Sequence, residues 1–398
     1  MKKKIIAVLV LFLFSLVLVG CSNSKNTELI IGTNLTATNL NPLFYKSEGD
    51  EDIIKCIHTK LLSSDRNGNI IYTGASELTG VTIDEFTYYS FGSITSNAND
   101  DSSYTYYISV REGVYCKDGE ELTYRDVLFS IYTILDPSYV ENGGVLALKD
   151  LPIVGLSDYQ TTVKTNYAIV QNTKSTDAQI KAAQKIIDDS NISGINVTDG
   201  VISINMEREL SDTEKEALNI YVAPVHIYGT SNSVSFKNNN FGITKGNVLQ
   251  QAKTTSFVGA GPYYATSFRS SSQVILKRNT AYFKGTPYID SVTINNITAV
   301  KNDDDGYYVS GGDCYKQIYE DVMDISMISL DDAAKDEIIR YNFNEKLTGN
   351  IISTYVSPLD ESFAIVYSTK RVNADSITLA GFNSHFTLFD GMELIKLK

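Results

Sequence analysis

The chain has no tryptophan, and only seven prolines, four cysteines and three histidines among its 398 residues. With no Trp, aromatic contacts must come from 26 Tyr and 16 Phe. No two cysteines stand in a C-x-x-C pair, which removes a zinc ribbon or a thioredoxin motif. His58, His226 and His385 lie far apart and sit in no H-E-x-x-H frame, and there is no G-x-S-x-G elbow or Walker A loop. A hydrolase triad therefore has no local signature, and we expect no enzyme. Basic residues are also in deficit. The 34 Lys and Arg are set against 47 Asp and Glu, for a net charge of −13, which disfavours nucleic acid and anionic membrane as partners.

A second long apolar run is absent too; the single one is at the start. Lys2, Lys3 and Lys4 precede residues 5–18, apolar except for Ser15. Fourteen residues are too few to span a bilayer, which takes ~20, but they suit a signal-peptide core. The run ends in Leu18-Val19-Gly20-Cys21. This resembles the bacterial lipobox, which implies cleavage before Cys21 and diacylglycerol on its thiol. Residues 1–20 are then a leader and 21–27 a polar tether. Cys56, Cys116 and Cys314 remain, so an exported chain holds at most one disulfide; buried, inert thiols are the expectation.

The remaining length is too great for one small core. Residues 28–35 read as a strand, 52–62 as a helix by apolar spacing, and 65–69 as a turn leading into a strand at 70–72. Residues 102–111 alternate as a Tyr-rich strand. Thr123 is placed to cap a helix through Leu135 that Pro137 stops, with Asp126 in its first turn. Residues 176–190 form an amphipathic helix, 200–206, 273–277 and 291–294 strands, and 331–341 a short helix. The acidic loop at 301–306 suggests calcium, but the frame fixed by Gly306 puts Lys301 first and Gly312 last. Both fail an EF-hand, and a solvated loop accounts for it.

Three stretches carry a resemblance. Residues 110–131 hold Arg111, Gly113, Asp118, Gly119, Leu122, Thr123, Asp126 and Val127 in order. Residues 259–294 hold Gly259, Gly261, Pro262, Tyr263, Leu276, Arg278, Asn279, Tyr282, Pro287, Tyr288 and Ile289. Asn41-Pro42-Leu43, Leu61-Leu62 and Pro224-Val225-His226 complete the set. Together they resemble family 5 extracellular solute-binding proteins, the oligopeptide, dipeptide and nickel receptors of ABC importers. Cys116 stands where the family usually has Phe or Trp, and Phe283 where it has Trp.

The resemblance implies an α/β, periplasmic-binding-protein-like (type II, cluster C) fold. Its base lobe has a mixed sheet, with a smaller α/β domain inserted. It implies base-lobe segments at 28–45 and 193–330, the inserted domain at 46–192, a remnant of the second large lobe at 331–375, and closing strands of the base lobe at 376–398. The second lobe is expected to be missing or vestigial. It further implies a monomeric receptor, lipid-anchored on the extracytoplasmic side, that delivers short peptides to a membrane permease and needs no cofactor and no metal. Asn34, Leu35 and Thr36, where the first strand ends, are the candidate ligand contacts. Nickel or haem uptake is a variant that three scattered histidines do not favour. The alternatives are a non-transporting surface lipoprotein that keeps the lobe as a scaffold, and a decayed gene product.

Overall fold

The computed structural model describes residues 27–33, 35–73, 80–231, 233–296, 317–318, 320–329, 352–358 and 360–398. The leader with Cys21, Asn34, the loop at 301–306, Cys314 and the helix expected at 331–341 lie outside the described residues. Among the described residues no helix is long and apolar enough to cross a membrane.

In chain order the strands are β1 (Glu28–Thr33), β2 (Ser63–Ser64), β3 (Ile70–Ile71), β4 (Val81–Ile83), β5 (Phe86–Tyr88), β6 (Gly92–Ala98) and β7 (Tyr104–Val110). There follow β8 (Ile195–Thr198), β9 (Val201–Met206), β10 (Tyr263–Arg269), β11 (Gln273–Arg278), β12 (Ser291–Asn296), β13 (Ile325–Ser329), β14 (Ile352–Ser357) and β15 (Asp360–Ser368). They build two main sheets. The larger has the order β10-β11-β12-β1-β13-β15-β14, and the smaller β6-β7-β9-β8.

The larger sheet is mixed, as expected. β1 runs parallel to β12 and β13, and every other neighbour is antiparallel. One face buries Leu29, Ile31, Val274, Leu276, Val292 and Ile325 against the helix Glu48–Ile57 and the C-terminal segment, through Ile53, Cys56, Ile57, Phe382 and Leu388. The other face is covered in part by Ile318 and Met323, against Ile328, Ala364 and Val366. β1 is covered on both faces, Leu29 and Ile31 on one and Ile30 towards the other, which is why its centre is apolar without alternating.

The smaller sheet packs one face on the helix Tyr124–Leu135, whose Val127 to Leu135 are all buried. That helix begins where its sequence says. Thr123 accepts from the N–H of Arg125, and the Asp126 carboxylate closes a capping box on the Thr123 N–H at 2.8 Å. The helices Leu156–Gln171 and Asp177–Asp189 form a hairpin beside it. Lys245 seals the end of the second, donating to the carbonyls of Asp188 (2.9 Å), Ile187 (3.1 Å) and Ser190.

Several segment boundaries differ from the sequence expectation. The helix Glu48–Ile57 belongs to the large sheet's core, although 46–192 was read as the inserted domain. β8 and β9 pair with each other and, through β9, with β7, so the start of 193–330 belongs to the small sheet. β14 and β15 extend the large sheet through β13, so the described part of 331–375 forms no separate lobe. The closing segment expected as strands holds the helix Ala374–Ala380 and a 3-10 turn at Met392–Leu394, with one bridge between Val372 and Leu397. Alternating apolar residues state that a strand has one buried face but not which strand lies beside it.

Candidate functional site

β1, β12 and β13 point the same way, so their carboxyl ends share one edge of the large sheet. In open α/β sheets that edge is where ligands bind. The loop leaving β1 there is held by the buried carboxylate of Asp50, the third residue of the helix Glu48–Ile57. Its Oδ1 accepts from the N–H groups of Thr38 (2.6 Å) and Asn39 (2.8 Å), and its Oδ2 from those of Lys46 and Ser47 (3.3 Å each). Burial alone would raise the pKa of this carboxyl, but these donors outweigh it and the pKa falls below the usual carboxylate value. Ser47 returns the contact by accepting from the Asp50 N–H at 3.1 Å. The neighbouring strands add further ties. Asn296 Nδ2 donates to the carbonyls of Ser271 (2.8 Å) and Leu35 (3.2 Å), and the Ser271 N–H donates to the Ala37 carbonyl.

The candidate contacts divide on this scaffold. The Leu35 side chain is in the core, its N–H donates to the Thr33 carbonyl and its carbonyl is taken by Asn296. Leu35 therefore seats the loop rather than presenting itself. Thr36 is exposed, and its hydroxyl lies so close to Gly49 that a Cβ there would sit 2.2 Å from it. The strand carboxylates lie at the opposite edge. Glu28 accepts from the Thr293 hydroxyl, and Asp324 accepts from the Ile30 N–H (2.8 Å) and Arg371 Nε (2.9 Å).

The sequence motifs converge at a joint between the two cores. Asp126 Oδ1 accepts from the Val225 N–H at 2.9 Å, tying the capped helix to the Pro224-Val225-His226 turn. His226 Nε2 lies 2.9 Å from Asp118 Oδ2 in the Asp118-Gly119 turn. The Lys117 N–H donates to the Gly259 carbonyl, and Asn279 Nδ2 to that of Gly261. The Arg111 guanidinium lies 5.7 Å from the centre of the Phe283 ring and 5.9 Å from that of Tyr89. Gly259 and Gly261 are needed because a Cβ on either would come within 2.6 Å of the backbone at Cys56 and Ile57. These residues are scaffold, consistent with the turn and capping roles their sequence positions suggest.

Three further reactive groups, His58, Cys56 and Cys116, are buried in the cores. His58 is buried, with its Nε2 3.3 Å from the Tyr228 hydroxyl, and desolvation lowers its pKa to about 3. Cys56 and Cys116 are free and buried, and desolvation pushes both thiols up. Among the described residues no three His, Cys, Asp or Glu side chains are grouped to hold a metal ion. The two surface clefts described, one of about 400 Å³ between Asp136 and Lys164 and one beside Asn247 and Lys253, are remote in sequence from the β1 loop.

Comparison with known proteins follows the same line. A family model described as "Bacterial extracellular solute-binding proteins, family 5 Middle" matches residues 93–305, more than half of the chain. The oligopeptide-binding protein AppA of Bacillus subtilis (strain 168) is 21% identical over 303 residues, 72% of this chain and 43% of its own. The solved AppA in complex with a nonapeptide has a TM-score of 0.45 at 19% identity, over 83% of this chain and 48% of that one. Lactococcal OppA with an endogenous peptide has 0.48 at 18%, over 83% and 49%. NikZ from Campylobacter jejuni with Ni(L-His) has 0.46 at 14%, over 83% and 47%. The chain thus spans about half the length of these relatives. With the family model covering both the small sheet and the joint that ties it to the large one, the chain belongs to the family 5 bacterial extracellular solute-binding proteins.

Proposed function

We propose that the chain is the receptor of an ABC importer, a binding protein rather than an enzyme. It would be anchored by a lipid on Cys21, act as a monomer outside the cytoplasmic membrane, and hand short peptides to a membrane permease. The ligand would lie along the carboxyl edge of β1, β12 and β13, with its backbone meeting the loop at Asn34 and Thr36, while Leu35 seats that loop from the core. The observation that carries this reading is the β1 loop itself. It is fixed by the Asp50 carboxylate and by Asn296 before any ligand arrives, and a loop ordered in advance pays less entropy on binding. That relatives in the same family are named for oligopeptides supports a peptide as the ligand.

A second reading, a non-transporting surface lipoprotein that uses the lobe as a scaffold, is favoured by one specific feature. A peptide ammonium calls for a carboxylate. Around β1 the Asp50 oxygens are engaged by backbone donors, and Glu28 and Asp324 stand at the far edge.

Thermal unfolding of residues 22–398 against a library of short peptides, with nickel as control, separates the two. A ligand at a hundred times its dissociation constant stabilises by ~2.7 kcal/mol. A peptide-dependent rise in Tm supports the receptor. A cooperative melt that no peptide moves refutes capture by this chain and leaves the scaffold.

A further inference from the structure

The amino ends of β1, β12 and β13 share the edge of the large sheet opposite the candidate site. The chain enters the sheet there at Thr27, which is exposed and whose carbonyl accepts from the N–H groups of Asp290 (3.2 Å) and Ser291 (3.4 Å). Two residues before Asp290, the Tyr288 side chain is 57% exposed, with Lys396 Nζ 4.2 Å from its ring centre. The C-terminal segment continues around the entry point. The Lys396 carbonyl accepts from the Asn373 N–H, Leu397 bridges Val372, and Arg371 donates to the Glu28 carbonyl. Lys277, opposite Ser291 on β11, and Lys370 are exposed beside it. The carboxylates among these groups are matched: Asp290 with Arg278 at 2.7 Å, Asp324 with Arg371 at 2.9 Å, and Glu28 with the Thr293 hydroxyl. Lys277, Lys370 and Lys396 form no ion pair with a described residue. Asp375, exposed at the start of the helix Ala374–Ala380, and Glu320 and Asp321, in the turn between Ile318 and Met323, flank the cluster.

We infer that this edge is the face that rests on the membrane, with Tyr288, Lys277, Lys370 and Lys396 meeting phospholipid headgroups. The inference rests on the reading of Cys21 as the lipid-bearing residue. The length of the tether selects the partner. Thr27 follows Cys21 by six residues, a reach of at most ~20 Å when fully extended and ~14 Å on average for a flexible chain. About 6 Å of that is spent in the headgroup layer. The edge therefore stays on average within about 10 Å of the bilayer surface, too close for a folded domain roughly 25 Å across to enter between them. The chemistry at the edge fits the headgroups. An exposed Tyr presents an apolar ring and a polar tip, the combination suited to headgroup depth. Lysines without carboxylate partners are free to reach lipid phosphates. The net charge of −13 opposes contact between an anionic bilayer and the rest of the surface, so one orientation is favoured over free tumbling.

The test couples the mature chain, residues 21–398, through Cys21 to a maleimide lipid in vesicles of phosphatidylcholine and phosphatidylglycerol. Cys56 and Cys116 are buried, and Cys314→Ser in every protein leaves Cys21 to react. Because the chain has no tryptophan, Tyr288→Trp places a single reporter at the edge. Ile186→Trp places one on the exposed face of a helix in the other core. A lipid with a nitroxide headgroup is the quencher, and a cooperative melt checks that each variant is folded. The expected result is quenching at least about threefold stronger at position 288 than at 186. Lys277→Glu/Lys370→Glu/Lys396→Glu in the Tyr288→Trp background should cut it at least by half. No quenching at 288, or equal quenching at both positions, overturns the inference. So does full quenching in the folded charge-reversed protein, since the lysines then hold no headgroup. Mass spectrometry of the protein taken from its cell membrane tests the acyl group separately. An unacylated Cys21 removes the anchor, and the inference falls with that reading; an acylated Cys21 without quenching at 288 overturns the inference alone.

Discussion

Asp126 Oδ1 and the Val225 N–H meet at 2.9 Å across 99 residues of chain, while Oδ2 of the same carboxylate accepts from the N–H and hydroxyl of Thr123. One buried side chain thus caps a helix and fixes a distant turn. Asp126→Ala strands two backbone donors away from water, each worth about 1–3 kcal/mol, and removes half of a capping box. We expect a loss of about 3 kcal/mol in urea unfolding, and about half that for Asp126→Asn, which keeps one acceptor. A loss below ~1 kcal/mol for the alanine variant would mean that the joint rests on other contacts.

Arg371 and Asp324 make the second expectation. The Asp324 side chain is 9% exposed and accepts from Arg371 and the Ile30 N–H, while Arg371 also reaches the Glu28 carbonyl. Removing the guanidinium leaves a buried carboxylate with one donor. Arg371→Met should cost about 3 kcal/mol, and Arg371→Met/Asp324→Asn should recover much of it. Additive losses in that cycle would refute the coupling.

His58 ties stability to acid. Its folded pKa of about 3 lies below the unfolded value of 6.5, so the native state resists a proton that the unfolded chain accepts. Its contribution is complete above pH 6.5 and is lost as the pH falls towards 3, by about 3 kcal/mol at pH 4. His58→Gln should flatten the fall in Tm between pH 7 and pH 4. An unchanged slope would show that His58 is not its source.

Asp52 works in the opposite sense. Burial chiefly, with Asp390, Glu51 and Glu48 nearby and Lys55 opposing, raises its pKa from 3.8 to about 6. The proton-linked stability it gives is full below pH 3.8 and is lost as the pH rises through 6. Its side chain is 27% exposed, so solvent screening reduces the effect to about 1–2 kcal/mol. Asp52→Asn is therefore expected to raise the Tm at pH 7.5 and leave it unmoved at pH 4. A drop at pH 7.5 would mean that the Lys55 contact, at 3.8 Å, outweighs the burial.

Local chemistry was legible in the sequence and long-range pairing was not. Thr123 and Asp126 announce their helix because capping acts over three residues, and its end at Leu135 follows from Pro137. The first helix begins at Glu48, before the expected 52, because Ser47 and Asp50 form a capping box that outweighs the apolar count; beyond Ile57 the chain turns extended. The helix Leu156–Gln171 buries only Leu156, Tyr159 and Val163, a stripe at helical spacing but a thin one among polar neighbours, so it stood out little in the sequence. At the candidate site, Leu35 at the end of β1 is core, because an apolar residue where a strand ends does not say whether it turns in or out. Asp50 and Asn296, which hold the loop, gave no signal, because a carboxylate that serves backbone donors looks like any surface acid until the chain is folded.

The position of β1 sets a timetable for synthesis. Ile30 meets Asp324 294 residues later, and its neighbours β12 and β13 both come from the second half of the chain. At ~5–20 residues per second, translation leaves the first strand without its partners for roughly 15–60 s. The small sheet, complete by Met206, has time to assemble first. Throughout that interval the apolar edge of β1 is the segment on which a holding chaperone would act, and a translation pause before Asp324 would lengthen its exposure.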